Sequence, residues 1–97
     1  MKRDDFVFSI GYQGDTALID SRTARHYSKL SAAQLSEQGL FRAAFRMALY
    51  DDDRDSMKLV VDAYNRVSGA HLEGIDDMKR LLGVFSVPEG VTKVSRI

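Results

Sequence analysis

The chain contains no cysteine, one proline, and no net charge, because fourteen basic side chains meet fourteen acidic ones. Without thiols there are no disulfides, no thiol catalysis and no thiolate metal site, and the chain fits a reducing compartment. A single proline among seven glycines leaves no Pro-rich linker or low-complexity tract. No apolar run approaches the length of a membrane span. Lys2 and Arg3 are followed at once by Asp4 and Asp5 rather than by a greasy stretch, which does not read as a signal peptide. A small soluble cytoplasmic protein is the resulting expectation. Zero net charge argues against a dedicated nucleic-acid binder.

What is present is ordinary globular material: 44% hydrophobic and 9% aromatic residues, enough for a core and too many for disorder. Ninety-seven residues make one domain, 1–97, that buries roughly 60–65% of its unfolded surface. No internal repeat is visible.

The strongest local signal is FVFSIGYQGDTALID, Phe6 to Asp20, where two apolar runs flank a Gln-Gly step. This predicts an antiparallel hairpin over about 6–20. Folding about Gln13 and Gly14 pairs Ile10 with Ala17, Phe8 with Ile19 and Ser9 with Leu18. Phe6, Phe8, Ile10, Ala17 and Ile19 then share the inner face. The outer face carries Val7, Ser9, Gly11, Thr16, Leu18 and Asp20, with Val7 and Leu18 as candidate interaction residues.

Four to five short helices are predicted over about 21–82. Asp20 or Ser21 caps the first. Ser31 and Gln34 form a capping-box pattern for the second, with Gly39 as its stop. The third places Phe41, Ala44, Phe45, Ala48 and Leu49 inward, with Arg42 and Arg46 projecting away. The fourth follows Asp53 or Asp55 and buries Met57, Val60, Val61, Tyr64 and Val67 up to Gly69. The fifth, from Ile75 to Leu82, stops at Gly83. Val91 to Ile97 is β-branched and predicts a last strand joining the hairpin sheet. The fold class is α+β, with helices over one face of a small antiparallel sheet.

Five features bear on chemistry. Asp51, Asp53, Asp55 and Asp62 occupy positions one, three, five and twelve of an EF-hand-like frame. Ser56 replaces its turn glycine, however, and Met57, Val60 and Val61 read as helix, so helix capping is preferred and no metal is assigned. Gly11-Tyr12-Gln13-Gly14 resembles a phosphate loop only in composition, since strand signals lie on both sides. The helices around Gly39 have a helix-turn-helix-like spacing that would offer Arg42 and Arg46 to a major groove. His26 and His71 share no motif with each other or with a nucleophile, so no catalytic or cofactor-binding residue is assigned. Met47, Met57 and Met78 read as core more readily than as an adaptable groove.

Charge is unevenly spread. Residues 21–50 carry Arg22, Arg25, Lys29, Arg42 and Arg46 against Glu37 alone. The leading expectation is a non-catalytic module for protein–protein contact or self-association, using the outer hairpin face at Val7 and Leu18. The alternative is an anion or nucleic-acid binding module built on the five basic residues. A small enzyme without a recognisable motif is the third reading.

Overall fold

A computed structural model describes residues 1–97. The elements run α1 (Arg3–Val7), β1 (Ser9–Gln13), β2 (Thr16–Ile19), α2 (Ser21–Tyr27), α3 (Ala32–Glu37), α4 (Phe41–Tyr50), α5 (Arg54–Ser68), α6 (Ile75–Leu82) and β3 (Lys93–Arg96). This is the expected α+β class, with a hairpin, helices and a C-terminal strand on the hairpin sheet. The sheet order is β1-β2-β3, with β1 and β2 antiparallel. β3 lies parallel to β2, Thr16 facing Lys93 and Ile19 facing Arg96. The sheet is therefore mixed and not wholly antiparallel. The helices between β2 and β3 carry the chain back to the start of the sheet, as a parallel crossover requires.

The caps form as their residue types demand. The Asp20 carboxylate accepts from the Thr23 backbone amide (3.1 Å), and Ser31 and Gln34 close a reciprocal capping box. Asp53 accepts from the Ser56 backbone amide (3.1 Å). Gly69 and Gly83 end α5 and α6 with φ of 75° and 67°, a region where a glycine has no Cβ to clash. Asp52 takes φ of 52° and closes α4 as Asp53 N–H donates to the Ala48 carbonyl (2.9 Å).

Two expectations fail at the N-terminus. Phe6 and Val7 are helical, in α1, instead of opening the first strand. A short apolar run has no period long enough to separate helix from strand, and the helix wins by burying both side chains at once. Val7 thus belongs to the core and is no interaction residue on a hairpin face. Leu18 is only half-exposed. The register also differs from the one expected: Gln13 pairs with Thr16, Tyr12 with Ala17 and Gly11 with Leu18. The two-residue turn is Gly14-Asp15, Gly14 supplying φ of 60°, which fits the glycine-first pattern of tight hairpin loops. The ladder then slips between Gly11 and Ser9, and Ser9 faces Ile19. Ile10 is the extra residue of this bulge and is 56% exposed, because a bulge reverses the alternation of faces.

The core is centred on α4, which packs against α1, α3 and α5. Ala44 to Ala48 are all buried, so α4 is enclosed on more sides than one amphipathic stripe would require. Phe45, Leu35, Val60, Met78, Ala17 and Ile19 meet at the centre. Met47 and Met57 are core residues too. Val67, expected inside, lies exposed near the end of α5.

Phe45→Ala should destabilise the fold by about 3–5 kcal/mol, the usual range for truncating a fully buried phenylalanine. Denaturant titration measures it, and a loss under about 1 kcal/mol would contradict this packing. Acid provides a second test. Asp51 is held below the usual carboxylate range by its hydrogen bond to Arg3, Asp20 by the Thr23 hydroxyl, Asp53 by the Ser56 hydroxyl and Asp77 by the Glu73 amide. A depressed carboxylate contributes stability above its unfolded pKa and loses it as pH falls through the folded value. Stability should therefore decline only below about pH 4, and a midpoint that moves between neutrality and pH 5 by more than below it would point to other groups.

Candidate functional site: the Arg46 cleft

The five basic residues do not form one patch. Arg22 and Arg25 lie exposed on α2 with Lys29 just beyond it, and Arg42 is exposed on α4. Arg46 is only 4% exposed. It does not project to solvent, because α4 is covered on that side by α1 and the start of β1. A helix-turn-helix reading loses one of its two recognition cations for this reason.

Arg46 instead holds the α1–β1 junction. Its Nη1 donates to the Ser9 carbonyl (2.5 Å), the Ser9 hydroxyl (2.6 Å) and the Phe6 carbonyl (3.2 Å). The guanidinium carbon lies 5.6 Å from the centroid of the Phe6 ring, within cation–π range. The Ser9 hydroxyl donates to the Phe6 carbonyl (3.0 Å) and lies 3.1 Å from the Tyr12 hydroxyl. Ser9 has one hydroxyl hydrogen, already given to Phe6, so Tyr12 is the donor in that second bond. Every acceptor here is satisfied.

The donor is not. Arg46 Nε is buried without a partner, and Nη2 has no protein hydrogen bond either, although it is not among the sealed atoms. No carboxylate lies within ion-pair distance of Arg46, while four other cations, Arg3, Arg80, Lys93 and Arg96, each find an aspartate. Burial and the neighbouring Arg42 pull the Arg46 pKa below the usual arginine range. That range begins so far above neutrality that the charge persists.

This uncompensated charge lines a cleft of about 270 Å³ together with Phe6, Tyr12, Val84 and Phe85. The far wall is the chain from Gly83 to Pro88, which leaves α6 through the left-handed Gly83. Phe85 is 58% exposed and Tyr12 40% exposed. No acidic side chain lines the cleft. β1 pairs with β2 alone, and no strand lies along its other edge.

The remaining candidates have structural occupations. Asp51 pairs with Arg3, both oxygens at 2.8 Å, Asp53 caps α5, and Asp55 and Asp62 lie along that helix. No group of three or more His, Asp or Glu side chains is placed to hold a metal ion. His26 is exposed and stacks edge-on against Tyr27, and His71 is exposed in a loop. No helix is long and apolar enough to cross a membrane. Sequence reasoning missed the cleft because Phe85 sits in an aperiodic segment and because Arg46 follows the outward spacing of Arg42.

Ser9→Ala deletes the hydroxyl that Arg46, Phe6 and Tyr12 share, and hydrogen bonds to charged groups contribute more than neutral ones. The expected loss is about 1–3 kcal/mol in denaturant titration, with Tyr12 becoming more mobile. A change within about 0.3 kcal/mol would contradict this network. Comparison with protein-family models, with curated proteins and with solved structures found no match.

Proposed function

We propose that this protein is a small binding module that acts by non-covalent contact with another protein, and that its contact face is the cleft between β1 and the 83–88 segment. The supporting observation is the pairing of exposed Phe85 and Tyr12 with a buried cation that has no carboxylate partner. Aromatic residues and arginine are the side chains that carry most contact energy in interfaces, because they bury much area at low entropic cost. Ile10 lies on the same strand, β1, and is exposed at the bulge. Tyr12 and Arg46 are the ionisable side chains of the cleft. No histidine, carboxylate or lysine, the side chains most used to move protons, lines it, which favours binding over catalysis.

One observation favours a second reading. Arg22, Arg25 and Lys29 have no carboxylate within ion-pair distance, and Arg22, Arg25, His26 and Tyr27 line an open hollow of about 420 Å³. A polyanion could be held there, though three exposed cations on a short stretch are also an ordinary solvated face.

Two surface variants separate these readings. Phe85→Asp places a charge on the contact face, and the triple reversal Arg22→Glu, Arg25→Glu, Lys29→Glu inverts the basic one. Neither removes a buried group, so both should fold. Tagged chain is used to capture partners from native extract, with sedimentation equilibrium for association with a second copy. The proposal expects Phe85→Asp to lose association and the triple variant to keep it. The opposite pattern, with nucleic acid captured and binding that collapses with salt as counterion release dictates, would replace it with the polyanion reading.

A further inference from the structure

The chemistry of the cleft is narrower than a general contact face. Arg46 carries a full charge at 4% exposure, and an ion without a countercharge in such surroundings gives up much of its hydration unrepaid. The carbonyls of Phe6 and Ser9 and the ring of Phe6 offset part of this through dipoles and the ring quadrupole. None of them is a countercharge. Nη1 is fully used by the protein, which leaves Nη2 as the fork's free arm. A ligand that brings one negative charge to that arm would meet a site already built, with the arginine locked in place by three acceptors before binding. Such preorganisation lowers the entropic cost of association.

The walls limit what else the ligand carries. Apart from Ser86, the accessible walls are the rings of Tyr12, Phe85 and Pro88, with Phe6 and Val84 buried behind them, so the body attached to the charge should be largely apolar. About 270 Å³ lies just under the range usual for ligand pockets, room for a group about the size of one aromatic side chain, with any remainder of the ligand lying outside the open cleft. The single guanidinium matches a monoanion better than a phosphate dianion, which needs several donors to replace its hydration.

We infer that the Arg46 cleft is a binding site for a monocarboxylate with a small apolar body, the carboxylate meeting Arg46 Nη2 and the body lying against Phe85 and Tyr12. This rests on the reading of the cleft as the contact face. The carboxylate is either that of a free organic acid or the C-terminal carboxylate of a partner chain ending in an apolar residue.

The test is a titration of the ¹⁵N-labelled full chain, observing backbone amides and the Arg46 Nε–H resonance. Sodium phenylacetate is the probe and phenylacetamide its neutral counterpart. Phenylacetate should give saturable shifts at Arg46 Nε–H, in Ser9–Tyr12 and in 83–86, with a dissociation constant on the order of 1 mM, as expected for so small a ligand. Phenylacetamide should bind at least tenfold more weakly. Phe85→Ala, an exposed change that leaves the core intact, should weaken phenylacetate binding severalfold. Arg46→Lys should abolish it, and if that variant does not fold, the wild-type Arg46 resonance and Phe85→Ala still decide. Equal shifts from the amide, tighter binding of inorganic phosphate, shifts centred on Arg22 and Arg25, or no response up to about 20 mM would each overturn the assignment. Acetyl-Gly-Phe with a free carboxylate, compared with its C-terminal amide, identifies the source. Tighter binding than phenylacetate, lost on amidation, supports a chain terminus; weaker binding supports a free acid. If carboxylates fail while association still depends on Phe85, the monocarboxylate inference falls and the contact face stands. If association is also indifferent to Phe85, both fall.

Discussion

The bidding of Arg46 for the carbonyls of Phe6 and Ser9 is the interaction on which the N-terminal half of this structure depends. A buried guanidinium must find acceptors or give up its hydration for nothing. The acceptors within reach are backbone carbonyls where α1 gives way to β1. Taking the Ser9 carbonyl and hydroxyl together turns Ser9 inward, and the ladder then slips before Gly11, pushing Ile10 to the surface. The bulge, the exposed Ile10 and the hydrogen bond that positions Tyr12 all meet at Ser9, the residue this one buried side chain on α4 holds.

Position in the fold makes that side chain effective. α4 is the helix against which α1, α3 and α5 all pack, so a tie from α4 to the start of β1 joins the sheet to the helical layer. Two ion pairs fasten the same corner: Arg3 with Asp51 at the end of α4, and Arg96 of β3 with Asp5 of α1 (3.1 Å), whose carboxylate is largely buried. The Tyr50 hydroxyl adds a hydrogen bond to the Met1 carbonyl (3.0 Å). The pair between Asp5 and Arg96 brings the two chain ends together over the sheet. A cleft opening at this corner therefore has a floor tied by several hydrogen bonds, and its outer wall, 83–88, is the part with no regular structure.

Local signals were legible wherever the physics is local. Asp20, Ser31 with Gln34, and Asp53 each cap the helix that follows because a short polar side chain there reaches amide hydrogens two or three residues on. Gly69 and Gly83 stop helices because the left-handed conformation suits them. The buried faces of α4 and α5 follow helical spacing through Phe45, Met57, Val60 and Val61. The hairpin was legible as a hairpin, but its turn was misplaced because Gln13-Gly14 and Gly14-Asp15 are both acceptable turn dipeptides. Apolar matching across the strands could not choose between them without the bulge.

The sequence by itself determined the class of fold, the helices α2 to α6 and the final strand, because caps, stops and periodicity act within a few residues of one another. Only the tertiary structure decided that Phe6 and Val7 are helical, that β3 runs parallel to β2, and above all that Arg46 and Arg42, one turn apart on the same helix, differ in fate. Spacing assigns both to the outer side of α4. Whether an outer side stays outside depends on what packs there, and the covering residues, Phe6 and Ser9, lie some forty positions away in the chain. Contacts at that separation leave no periodic trace in sequence, and the candidate site is built from them.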